Sequence, residues 1–344
     1  MARVPATVLA GQSAITLLNR AAVSGGGEPA AFAGNNTAED PTVIEAGAKL
    51  SGKVWLDLNR DRQHQGGERP LAGWRAQLLL PYNDPARTAG LRNVVIGPGT
   101  QYRLIQEAVT DAAGAYHMQD VTPRADYALR FLSPSGYQYA TPVDGDNGAA
   151  QSGARPDTDA GMLVDLSIAA NADITGQSLP VIPSGVVYGS SNRQPLAGAM
   201  VRLSGPTGFD PARHLVGGAG NAEQRSSDEG MYQFLLTSDA PSGRYQLLTR
   251  PYGYVSPSTA LPPQPQALVL PTGAAPLAVQ PQAAPPQPGE ATTYYTQFTV
   301  SSGSRPVANN HLPLDQAATQ GLLLRRARPR ASSKRWTSWT TRSN

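Results

Sequence analysis

The chain contains no cysteine. That excludes disulfides, thiolate metal centres and cysteine nucleophiles, while fixing no compartment. No apolar run reaches ~18 residues, so nothing reads as a membrane-spanning helix. The opening "MARVPATVLAGQSAITLLNRAAV" has no long apolar centre and does not read as a signal peptide. Charged residues make up only 15%, and 25 arginines face 3 lysines. Catalytic patterns are missing too. His64, His117, His214 and His311 are scattered, none in H-E-x-x-H, and there is no G-x-S-x-G elbow. "GGAGNAE" at Gly217–Glu223 lacks the spacing of a phosphate loop and reads as a plain loop. A non-enzymatic chain is the expectation.

Gly and Pro are abundant: 66 of 344 residues. Beside them stand short runs rich in Val, Thr and Tyr, with few long amphipathic stretches. That pattern predicts an all-β protein of short strands and many turns. The net charge of +3 is uneven. Arg325–Asn344 holds seven of the 28 basic residues and no acid, so the body carries 21 basic against 25 acidic residues, a balance of −4. A body that binds nucleic acid is therefore not expected.

Six segments follow. Residues 1–46 read as strands Ala14–Val23 and Thr42–Ile44 around a flexible break at Ser24–Pro29, the end of a β repeat. Residues 48–180 form a first full unit and 181–256 a second. The two share landmarks in one order. "LSGKVWL" matches "PSGVVYG", and "RPLAGWRAQL" matches "QPLAGAMVRL". "TDAAGAYHM" matches "SDEGMYQF", and "DYALRFLSPSGY" matches "RYQLLTRPYGY". At offsets of 117 to 133 residues, this is an internal repeat. About seven short strands per unit predict tandem β-sandwiches. Residues 257–290 contain ten prolines by residue 288 and no charge up to that point, which predicts a semi-rigid polyproline spacer. Residues 291–324 read as the start of a further repeat, and 325–344 as a basic tail.

Asp57–Glu68, "DLNRDRQHQGGE", has the rhythm of a calcium loop. Positions 1, 3, 5 and 12 are Asp57, Asn59, Asp61 and Glu68, and position 7, a carbonyl ligand, is Gln63. Clustered oxygens without nitrogen or sulfur suit a hard cation such as Ca2+. Arg62 stands where the pattern wants glycine, adding turn strain and a like charge. The loop is either a weak calcium site or a solvated turn. The matching stretch "YGSSNRQPLAG" has no carboxylate, so any ion belongs to the first unit alone. Asp144, Asp146, Asp157 and Asp159 read as an exposed polar loop rather than a second ion site. Tyr116, Tyr137, Tyr232 and Tyr254 fall at matching positions and read as packing residues with hydroxyls tied to backbone.

"SGKVWLDLNRDRQHQGGERPLAGWRAQLL", then "TDAAGAY" and "PSGY", resembles the B-type repeat of bacterial serine-aspartate-repeat adhesins. The wider group includes collagen-adhesin B-type and carboxypeptidase-regulatory-like prealbumin domains. The resemblance covers about residues 50–170. It implies a Greek-key sandwich used as a spacer at a bacterial surface, with calcium at the acidic loop. Related domains carry lysine–asparagine cross-links; Lys53 sits on the first strand, but Arg75 occupies the place of the promoting glutamate. "ITLLNRAAVSGGGEP" and "LPLDQAATQGLLL" resemble the end and the opening of a conserved surface repeat of unknown function. The partners implied are neighbouring repeats of a longer array, with a host or matrix protein or a glycan as ligand. The alternative is a carbohydrate- or protein-binding module of an exported enzyme. Reverse translation of Ser332–Ser343 with GC-rich codons, read from the third base, gives an alternating strand pattern, so the basic tail is expected to follow a frameshift near Leu324.

Overall fold

The computed structural model describes residues 14–23, 27, 29, 36–81, 92–96, 100–140, 152–250 and 252–317. Asp144, Asp146 and the basic tail lie outside the described residues. The protein is all-β. A hairpin of β1 (Ala14–Ala22) and β2 (Thr37–Glu45) comes first, its nine-residue antiparallel register held partly by Arg20–Glu39 at 3.4 Å. Nearly every residue on both of its faces is exposed. A two-stranded ribbon of that kind is marginal by itself.

The first sandwich runs from β3 (Ala48–Leu56) through β4 (Arg75–Pro81), β5 (Arg92–Ile96), β6 (Thr100–Val109), β7 (Ala115–Val121) and β8 (Arg124–Leu132). It continues with β9 (Gln138–Tyr139), β10 (Arg155–Asp157), β11 (Met162–Ile168), β12 (Asp173–Ile174) and β13 (Leu179–Val181). One sheet has the order β10-β11-β8-β4-β6-β5, with β9 on β8; the facing sheet sets β7, β12 and β13 on β3. Alternation drives the pairing of layers. In β3, Ala48, Leu50 and Val54 are buried while Lys49 and Lys53 face water. Across the gap they meet Leu78 and Leu80 of β4, Leu129 and Phe131 of β8, and Trp74.

The second sandwich comprises β14 (Gly185–Gly189), β15 (Met200–Ser204), β16 (Glu223–Arg225), β17 (Met231–Tyr232), β18 (Gly243–Thr249) and β19 (Tyr254–Val255). Then come β20 (Leu268–Val269), β21 (Leu277–Ala278), β22 (Gln297–Val300), β23 (Val307–Ala308) and β24 (Leu312–Gln316). Its sheets have the orders β17-β14-β24-β19 and β16-β15-β18-β22-β20, with β21 on β23.

The expected boundaries of this second unit are wrong. Residues 257–290 are not a free spacer, and 291–316 do not open a new repeat. Both complete the second sandwich. β22 pairs with β18, β20 pairs parallel to β22, and β24 closes on β14. Proline lacks an N–H but keeps its carbonyl, so a proline-rich strand can pair at an edge through its other residues. Gln264, Leu270, Leu277 and Val279 supply those N–H groups, to Tyr294, Thr299, Pro306 and Ala308.

The corrected boundary makes the two units equivalent. β13 lies parallel to β3, with Leu179–Val181 on Val54–Leu56; β24 lies parallel to β14, with Leu312–Leu314 on Val187–Gly189. Each closing strand is seated the same way. The Tyr116 hydroxyl donates to Gln177 O at 2.6 Å, and Tyr232 to Asn310 O at 2.6 Å. Each accepting carbonyl presses on a glycine. A Cβ on Gly52 would lie 2.1 Å from Gln177 O, and one on Gly185 2.1 Å from Asn310 O. Two tyrosines thus meet the expectation of a hydroxyl tied to backbone.

Candidate calcium loop and inter-unit joint

The acidic loop is an addition to a plan that closes without it. Trp55 bridges Pro70 across it, and Tyr188 bridges Pro195 at the matching place. Fourteen residues lie between the first pair and six between the second, so the loop adds eight.

All five sequence-predicted ligands lie on this loop, and short polar side chains turn its backbone. Asp57 is 1% exposed and accepts from Arg60 N at 2.6 Å and Arg62 N at 2.9 Å. Asn59 Oδ1 accepts from Asp61 N at 3.1 Å, and Asp61 Oδ1 from Gln63 N at 2.8 Å. These are successive Asx turns. Glu68 closes the loop, its two oxygens accepting from Leu58 N and Gln65 N at 3.0 Å each. Arg60 and Arg62 both adopt left-handed backbone, φ 64° and 66°. Arg62 thus takes the conformation that the missing glycine would take without strain.

Burial raises the Asp57 carboxyl above its usual range; the Arg62 and Arg60 N–H groups oppose that, and the charges of Glu68 and Asp61 add to it. Asp61 is shifted down, chiefly by the Gln63 N–H. The three acids nevertheless do not converge. Among the described residues no group of three or more His, Asp or Glu stands where it could hold a metal ion. The space is taken by amides: Asn59 Nδ2 and Gln65 Nε2 both donate to Asp61 Oδ2. The buried polar atoms left without a partner nearby, Trp55 Nε1 and Arg60 Nη1, are donors and not acceptors. As it stands, the carboxylates of the loop are satisfied internally. An ion needs those two amides to swing away from Asp61. Asp157 and Asp159 cap turns or reach the second unit, and Lys53 is exposed.

The loop's root is tied to the last residue of the first sandwich, Asp57 N donating to Val181 O at 3.1 Å, one residue before the joint at Ile182. The joint is buried and specific. Asn221 Nδ2 donates to Gln138 O at 2.8 Å, and Gln138 N returns a bond to Asn221 Oδ1 at 3.3 Å. Gln233 accepts from Ala140 N at 2.9 Å and donates to Ile182 O at 2.8 Å. Gln138, Asn221 and Gln233 are each 5% exposed or less. Ala140, Val216 and Leu235 form a small apolar cluster beside them, while Val186 and Met231 join the first core. At the rim, Asp159 accepts from Ser238 N and Oγ at 2.7 and 2.6 Å. Sequence reading missed Gln138, Asn221 and Gln233, because isolated Gln and Asn residues carry no pattern.

No family model matches the chain, and no curated protein matches it. Among solved structures, the Bacillus anthracis TIE protein aligns at 8% identity and a TM-score of 0.20, over 88% of this chain and 42% of that one. The present chain thus spans less than half the length of that protein. The minor pilin GBS52 of Streptococcus agalactiae aligns at 15% identity and 0.24, over 79% and 97%. The shaft pilin SpaA of Lactobacillus rhamnosus GG aligns at 10% and 0.20, over 79% and 98%. Scores this low carry no argument about function.

Proposed function

We propose that the chain is a structural spacer of an extracellular or cell-surface array, its sandwiches joined end to end as one stiff piece. The joint supports this reading. Amides paired reciprocally and buried at a contact fix one relative orientation, since any rotation strands them without partners. The described residues show no aromatic platform of the kind a glycan-binding face presents: Tyr252 is the one aromatic among the large exposed apolar side chains. No described helix is long and apolar enough to cross a membrane. The nature of the array, adhesin-like with neighbouring repeats as partners, rests on the sequence resemblance.

Calorimetry of the intact chain tests the joint. A stiff joint gives one cooperative transition for both sandwiches, and Asn221→Ala splits it into two. Two independent transitions in the unaltered protein would refute the reading.

For the loop, the proposal is weak calcium binding that stiffens the root of the joint. Melting with calcium and with chelator decides it. Stabilisation follows RT ln(1 + [L]/Kd), about 1.4 kcal/mol at tenfold Kd. Identical melting at millimolar calcium leaves the loop as a turn.

A further inference from the structure

The second sandwich contains a cavity of about 400 Å³ between its sheets, open at one end. Leu203, Leu247, Leu270, Phe298, Val300 and Phe234 line it. The shared plan does not require such a space: in the first sandwich the cavity beside Leu129, Phe131 and Leu163 is about 30 Å³. The second core also has less to fill it with. Phe131 faces Ala76 across the β4–β8 ladder, where the second unit pairs Val201 with Thr249. Trp74, after the Leu-Ala-Gly turn, has Ala199 as its counterpart. Several apolar side chains around the space, Phe234, Leu236 and Val300 among them, stay half-exposed, and fewer do so around the first core. The volume falls in the ~300–1,000 Å³ range of small-molecule pockets.

The mouth is polar and uneven in charge. Arg305 is half-buried there, with Nε on Ala275 O at 2.5 Å and Nη2 on Pro276 O at 3.3 Å. Among the described residues it has no carboxylate within ion-pairing distance. The acid at the mouth is Asp159, and its two oxygens already accept from Ser238. A ligand therefore meets an apolar interior, one cation free of any acid, and an anion already engaged.

We infer that this cavity binds a small amphiphile: a single alkyl chain or ring inside, with one carboxylate-like head at Arg305. At ~30 Å³ for each water-sized group, it takes roughly a dozen such groups. The test uses the intact chain with decanoate, and with decanol as the same chain without charge. Calorimetric titration is expected to show saturable binding of one decanoate per chain. Val300→Trp fills the space and abolishes binding of both probes, while its circular dichroism and urea unfolding stay native-like. If that variant fails to fold, Leu236→Trp at the half-exposed wall serves instead. Arg305→Gln weakens decanoate about tenfold and leaves decanol unchanged. Absence of saturable binding, or undiminished binding by a folded Trp variant, overturns the site. Equal loss of both probes in Arg305→Gln overturns the assignment of the head.

Discussion

Replacing Gly52 with alanine tests how the sandwiches are closed. The new Cβ would stand 2.1 Å from Gln177 O, 2.6 Å from its carbon and 2.9 Å from a Tyr116 ring carbon. Ordinary contact begins at 3.4 Å, so the carbonyl must retreat by more than 1 Å. The obstacle is backbone and cannot rotate aside. Moving it lifts β13 from β3 and breaks the 2.6 Å bond from Tyr116. Overpacking costs about 1–3 kcal/mol, and the buried hydrogen bond adds about 0.5–1.5. The sum is about 2–4 kcal/mol, or roughly 6–12 °C in Tm for a unit of this size. Urea unfolding followed by tryptophan fluorescence reads it, because Trp55 and Trp74 lie buried in the first unit. Gly185→Ala, whose Cβ meets Asn310 O at the same 2.1 Å, is expected to cost as much. Gly67→Ala has nothing within 4 Å and should stay within about 0.5 kcal/mol. If Gly52→Ala also stays within that margin, the carbonyl does not seat in a glycine notch and the account of closure is wrong.

Further outcomes follow from the same geometry. His311 accepts from Val186 N at Nδ1 and bonds Gln282 O through Nε2, and burial holds its pKa down at about 4 against 6.5 when free. The unfolded chain therefore binds a proton the folded chain excludes, so stability present above pH 6.5 is lost as pH falls toward 4. The loss is about 3 kcal/mol, and a flat stability curve by urea titration over that window would contradict it. Arg62→Gly removes the left-handed strain at φ 66° and a repelling charge; it should stabilise by about 1 kcal/mol in chelator and tighten calcium, both measured by melting. Tyr232→Phe should cost about 1–2 kcal/mol in the second unit by leaving Asn310 O without its hydroxyl donor, and an unchanged calorimetric transition would contradict it.

The all-β class, the two related copies and the place of the acidic loop are legible in the amino-acid sequence. They are so because those features are local. Alternation in "AKLSGKVWL" sets which face is buried, and Asx residues spaced by two make their turns within a few residues. Other features depend on contacts between distant parts of the chain. "PSTALPPQPQ" looks like a spacer because proline withholds N–H groups. Whether N–H groups from Gln264 to Val279 find carbonyls depends on Tyr294, Thr299 and Ala308, up to 30 residues away. The second unit's end moved to Gln316 for the same reason: β24 pairs with β14, and that ladder spans more than 120 positions. The joint through Gln138, Asn221 and Gln233 and the cavity beneath Arg305 lie further still from any sequence rule. Each is made of ordinary residues whose meaning comes only from what the fold sets across from them.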